Sequence, residues 1–168
     1  MKKIMLFPVF LFLILTSCDY DREVTKAYTK YRHHEGVTSM TIPGWVIRLA
    51  SRMGDMENEE RELLQSIHKV RILTIEDDDL NARVNLHKEF YKNISENTEL
   101  EELMAVREDG EQVTIFGKAD DEVIHEMIIL VGGNDNALIH IKGNFRPEMV
   151  ASIANKNQKK GFFSLGNH

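Results

Sequence analysis

Apolar and polar positions divide this chain into six strand-like runs and several helical stripes. Residues 37–42, Val-Thr-Ser-Met-Thr-Ile, alternate and are rich in β-branched types, which predicts a strand. Pro43-Gly44 ends it. Trp45, Leu49 and Met53 then recur every fourth position, with Val46 and Ala50 alongside, as in an amphipathic helix. After an acidic stretch at 55–62, Leu63, Leu64 and Ile67 give a weaker helical stripe. A second strand is expected at 70–75. Glu76-Asp77-Asp78-Asp79 closes it, and Asp79 is placed to cap a helix over about 80–95. Leu80, Val84, His87, Tyr91 and Ile94 line one side of that helix, and Leu86 and Phe90 widen it.

The period then changes. Strands are expected at 103–106, 113–116, 123–131 and 137–142, separated by Asp109-Gly110, by Ala119-Asp120-Asp121 and by residues 132–136. Asp-Gly between two such runs is a hairpin signal, because both residues tolerate positive φ. These strands follow one another too closely for helical crossovers, so they form an antiparallel meander. Pro147 opens a last short helix containing Met149, Val150 and Ile153. The expected fold is α+β: a single mixed or antiparallel sheet with a C-terminal four-strand meander and helices packed on one face. Val113, Ile115, Ile129, Ile139 and Ile141 are expected to be buried on the covered side or in the interior of that sheet.

The N-terminus has a different logic. Met1-Lys2-Lys3 is followed by a run at 4–15 that is apolar except for Pro8, which does not interrupt its hydrophobic character, and then by Thr16-Ser17-Cys18. That run is shorter than the roughly 20 residues of a membrane span but matches the apolar region of a signal peptide. Small residues before a cysteine complete a lipoprotein box. Residues 1–17 are therefore read as a signal peptide, and Cys18 as the lipidated first residue of the mature chain. Residues 18–36 are read as the lipidated cysteine and a polar tether running into a helical turn. Residues 37–155 are read as the α+β domain and 156–168 as a polar tail, whose Phe162-Phe163 sits at a fraying chain end. Cys18 is the only cysteine, so no disulfide can form within the chain. Two or three acyl chains on one cysteine make attachment to a bilayer effectively permanent, whereas one short chain binds reversibly. Asp19 follows directly, in a stretch of mixed charge.

The chain has 168 residues and a formal charge of −6. Removal of the signal leaves about 150 residues, the size of one domain. A net acidic domain excludes the clustered Lys and Arg that nucleic-acid binding requires.

The searches for chemistry return no site. His33-His34 are adjacent and cannot share one face. His68, His87, His125 and His140 are single, without the i,i+4 spacing that offers two imidazoles to zinc. His125 and His140 lie in successive strands and are the one pair that could meet, yet they read as solvated or core-edge residues. Residues 76–79 lack the alternating oxygens, the glycine turn and the late glutamate of a calcium loop. No Gly-x-Ser-x-Gly or Ser-x-x-Lys occurs in the mature chain. Gly132-Gly133 leads to another strand, which excludes a phosphate loop. Asn93-Ile94-Ser95 is a formal glycosylation sequon without meaning in a bacterial lipoprotein. No enzyme activity, cofactor or metal is expected.

Several segments resemble one family. Residues 37–42, 70–73, Glu101-Glu102-Leu103-Met104-Ala105-Val106-Arg107-Glu108-Asp109-Gly110, Ile128-Ile129-Leu130-Val131-Gly132 and Ile139-His140-Ile141-Lys142-Gly143-Asn144 are similar to Bacteroidetes lipoproteins carrying the domain of unknown function 4252. The similarity covers most of the mature chain and consists of strand cores and turns. It implies a secreted, lipidated domain, commonly encoded beside envelope regulators, and no catalytic residues. The resulting expectation is a non-enzymatic binding or sensing module, held by lipid in the cell envelope at the outer membrane, with the membrane and an envelope protein as partners. The other class is a small-molecule carrier. The two differ in surface: a binding module exposes a contiguous apolar patch, and a carrier encloses one.

Overall fold

The computed structural model describes residues 19–148 apart from Thr98 and Asp121. The signal segment 1–17, Cys18, the residues Met149, Val150 and Ile153 of the expected last helix, and the tail 156–168 lie outside the described residues. Pro147 and Glu148 are helical.

The elements run α1 (Asp19–Tyr31), β1 (Val37–Pro43), α2 (Gly44–Met53), α3 (Asn58–Ser66), β2 (Ile67–Ile75), α4 (Asp78–Asn81), α5 (Leu86–Ser95), β3 (Glu101–Glu108), β4 (Glu111–Ala119), β5 (Ile124–Gly132) and β6 (Asn136–Phe145). The strands form one sheet in the order β1-β2-β6-β5-β4-β3, and every neighbouring pair is antiparallel. The α+β class and the β3–β6 meander are thus as expected. At the β3–β4 turn Asp109 and Gly110 both have positive φ, 48° and 86°, the conformation that a two-residue hairpin requires.

Alternation along the strands sorts side chains onto two faces. On one face, Leu73, Ile75, Phe116, Ile128, Leu130 and Leu138 are buried under α1 and α5. Val24, Ala27, Tyr28 and Tyr31 of α1 and Leu86, Phe90 and Ile94 of α5 complete this main core. Among the described residues, helices cover the opposite face at one end, where Ile47 of α2 and Leu63 and Leu64 of α3 pack with Val70, Met127, Ile141, Ile67, Ile124 and Phe145. The principal helical layer lies on one face, and α2–α3 adds a partial cover to the other.

Three expectations are corrected. Residues 19–31 are not a tether: they form α1, whose apolar residues at i, i+3, i+4 and i+7 belong to the core. The helix expected over 80–95 is two helices. Asp77, not Asp79, caps α4 by accepting from the Leu80 N–H at 2.8 Å, and Asn85 caps α5 by accepting from Lys88 N–H at 2.8 Å. Finally, Val113 is buried, but Ile115, Ile129, Ile139 and Ile141 are only half-buried. They lie on the face away from α1 and α5, because they alternate with the core residues Phe116, Ile128, Leu130 and Leu138.

Candidate interaction face

The part of the sheet that none of the described helices covers carries an uninterrupted apolar row. Strand register pairs Met40 with Ile72, Ile72 with Ile139, Ile139 with Ile129, Ile129 with Ile115 and Ile115 with Met104. Six large apolar side chains therefore stand side by side across all six strands. At about 4.8 Å between strands the row is about 24 Å long. None of the six is buried. The four isoleucines are half-buried by their neighbours, while Met40 and Met104 at the sheet edges are 46% and 38% exposed. The next row, Thr38, Thr74, Ala137, Val131, Val113 and Val106, is also free of charge, with Val131 and Val113 buried and Val106 exposed at the edge. Leu103 lies on this side too, packed over Gly117, where a Cβ would stand 2.5 Å from its Cδ1.

Such a face is what a flat partner surface needs: apolar, regular and rigidly held by the hydrogen-bond ladder. The sequence pattern supplies the alternation, but the location of the helices decides which side is covered. The feature was therefore missed. A signal was present in α2, whose apolar residues Trp45, Val46, Ile47, Leu49 and Met53 occupy more of the helix circumference than one buried stripe can absorb.

Two pairs of buried polar residues lie on the covered face. His140 and Glu126, neighbours across β5 and β6, are hydrogen-bonded through Nε2 and Oε1, and Lys142 Nζ lies 3.5 Å from the same oxygen. His87 Nε2 is 2.9 Å from Thr114 Oγ1, with the imidazole stacked on Tyr91 at 4.9 Å. The Gln112 carboxamide, oriented so that its oxygen accepts from Arg107, donates to His87 Nδ1 at 3.3 Å. In that arrangement the neutral imidazole carries its proton on Nε2 and donates to Thr114 Oγ1. Burial holds the His87 pKa below its ordinary value, and Arg107 acts in the same sense.

His125 and His140 do not converge. His140 is buried against Glu126, while the exposed His125 bonds Asp120 at 2.8 Å through Nε2 and Asn144 at 3.1 Å through Nδ1. His33 Nε2 accepts from Arg32 at 2.9 Å, and His34 lies against the Tyr31 ring. Among the described residues no group of three His, Cys, Asp or Glu side chains is arranged to hold a metal. The four carboxylates at 76–79 are exposed. An open groove of about 570 Å³ runs between α1 and α5. Among its lining residues Lys30 donates to Glu89 at 2.6 Å, and Asn93 donates to Glu23 at 3.0 Å.

A family model described as a domain of unknown function, DUF4252, matches residues 31–153, and the chain belongs to that family. No curated protein and no solved structure matches the chain.

Proposed function

We propose that this DUF4252 domain is a lipid-anchored module of the bacterial cell envelope that binds an envelope protein through the open face of its sheet and catalyses nothing. The observation that carries the reading is the row from Met40 to Met104, because soluble monomers rarely leave a large contiguous apolar patch without a partner. A carrier is disfavoured by the same geometry. Its ligand would need an enclosed apolar cavity, whereas here the apolar side chains left clear of the helices lie on a broad face and the groove between α1 and α5 is open to solvent.

The anchor is part of the reading. Signal-like residues 1–17 precede Cys18, and α1 begins at the next residue. The lipid thus holds the domain beside the bilayer without a long spacer, at the outer membrane in our reading. Confinement of both partners to one membrane raises their effective concentration, so a modest affinity suffices.

A photocrosslinking amino acid at position 129, on the open face, tests the idea in cells. It should yield one discrete protein adduct, while the same group at position 88, on the outer side of α5, yields none. No adduct from position 129, or the same adducts from both, rejects the binding face. Fatty-acid labelling abolished by Cys18→Ala supports the anchor, and labelling that survives the substitution rejects it.

A further inference from the structure

Helix α2 exposes what a buried helix would hide. Trp45, Leu49 and Met53 are 62%, 51% and 79% exposed and, four residues apart, form one stripe. The inward side is Gly44, Ile47 and Ser51, with Gly44 so close to Ile67 and His68 that a Cβ would stand 2.6 Å from either carbonyl oxygen. Arg48 and Arg52 are exposed beside the stripe, and α2 contains no acidic residue. Neither guanidinium is paired among the described residues. Apolar side chains including a tryptophan, flanked by arginines, are the composition of a helix that lies in a bilayer interface.

Position in the fold says which surface this stripe meets. Helix α1 descends the covered face: Tyr31 leads through Gly36 to Val37, paired with Ile75; Tyr28 Oη donates to Leu138 O at 3.2 Å; and Thr25 Oγ1 accepts from Arg71 at 3.4 Å. The start of α1, next to Cys18, therefore lies toward the end of the sheet where β1 finishes at Pro43 and α2 begins. The start of α1 and the exposed stripe belong to the same end of the molecule.

We propose that α2 is a membrane-contact helix. Trp45, Leu49 and Met53 enter the interfacial layer of the bilayer that holds Cys18, and Arg48 and Arg52 meet lipid phosphates. Glu59, Glu60 and Glu62 of the following helix have the opposite sign, so the contact is driven by apolar burial, and the arginines orient it. The inference rests on the lipid-anchor reading: tethering supplies the local concentration, and α2 supplies a fixed orientation. The open rows of the sheet, away from α2–α3, then stay clear of the bilayer for a protein partner.

Trp45 is the only tryptophan, so its fluorescence reports this contact alone. The full lipidated protein is reconstituted at low density in phosphatidylcholine–phosphatidylglycerol vesicles with bromine on the acyl chains near the glycerol backbone. Intact mass records the lipid on Cys18 independently. Emission should be blue-shifted and roughly two-fold quenched, as for an indole at headgroup depth. Leu49→Glu with Met53→Glu, both at exposed positions, should abolish the quenching while the melting temperature and lipidation are unchanged. Lipidated protein whose Trp45 emits as in water, or whose emission shifts only with protein density and without quenching, overturns the membrane contact and leaves the anchor standing. Protein without lipid on Cys18 overturns the anchor and this inference with it.

Discussion

The carboxamide oxygen of Asn136, at the start of β6, accepts the backbone N–H of Leu86, at the start of α5, at 2.7 Å. Its Nδ2 donates to Asn81 Oδ1 and to Val84 O, each at 3.0 Å. One buried side chain thus satisfies an orphan donor of α5 and ties the α4–α5 connection to the sheet. It competes with the helical hydrogen bonds that would make 80–95 continuous. Asn136→Ala should cost about 2–4 kcal/mol, since it leaves a buried N–H and a buried C=O without partners. Urea unfolding should show a lower midpoint with an unchanged slope. A loss within experimental error would mean that α5 is held by packing alone.

That side chain illustrates where sequence reasoning stops. All six strands were legible, because period-two alternation is local and Asp109-Gly110 and Pro43-Gly44 punctuate it. Asn136 read as a turn residue, since its partners lie 50 or more positions away. Helix α1 was legible in principle from Val24, Ala27, Tyr28 and Tyr31, but small and tyrosine side chains among charges understate a buried stripe. The open face was not legible: Ile129 and Leu130 are equally apolar, and only helix placement covers one and leaves the other accessible.

His140 and Glu126 provide a second test. Both are buried, and His140 Nδ1 has no partner among the described residues. Removing one member deletes the buried bond of the other, with Lys142 still near Glu126, so His140→Ala and Glu126→Ala should each cost about 2–4 kcal/mol. Glu126→Ala combined with His140→Ala should cost at least about 1 kcal/mol less than the sum of the two single changes, because neither member of the pair is left facing a lost partner. Strict additivity in that cycle would show that the pair contributes no coupling.

Two other histidines should give pH dependences of opposite sign. His125 is raised above its ordinary 6.5, first by its bond to Asp120 and then by Asn144. Its contribution is complete below 6.5 and is lost as pH rises through the raised folded value. Asp120 is lowered below 3.8, first by His125 and then by the Glu122 and Val123 N–H groups. Its contribution is present above 3.8 and disappears as pH falls through the lowered value. The advantage of the wild type over His125→Gln should therefore be largest in mildly acidic buffer, between those limits, and shrink above neutrality. His87 is depressed by burial, so acid favours the unfolded chain, which takes up a proton below 6.5 before the folded form does. His87→Gln should reduce the fall in melting temperature on going from neutral to mildly acidic buffer. Histidine NMR titrations assign the two effects, and a His125 midpoint below 6.5 would contradict the first.

The last prediction sets two adjacent residues against each other. Leu130 points under α5 and is fully buried, while Ile129 points to the open face between Ile115 and Ile139. Leu130→Ala should cost about 2–5 kcal/mol through the cavity it leaves. Ile129→Lys should cost no more than about 1 kcal/mol, because the lysine stem can cover its neighbours while the ammonium reaches water. In cells the order should reverse. Ile129→Lys should lose the crosslinked partner and fail to complement a deletion strain at native abundance. Leu130→Ala, where enough folded protein accumulates, should retain both. If Ile129→Lys proves as destabilising as Leu130→Ala in the purified protein, the row from Met40 to Met104 is covered within the molecule itself. The open face would then be core, and the protein-binding reading would fall with it.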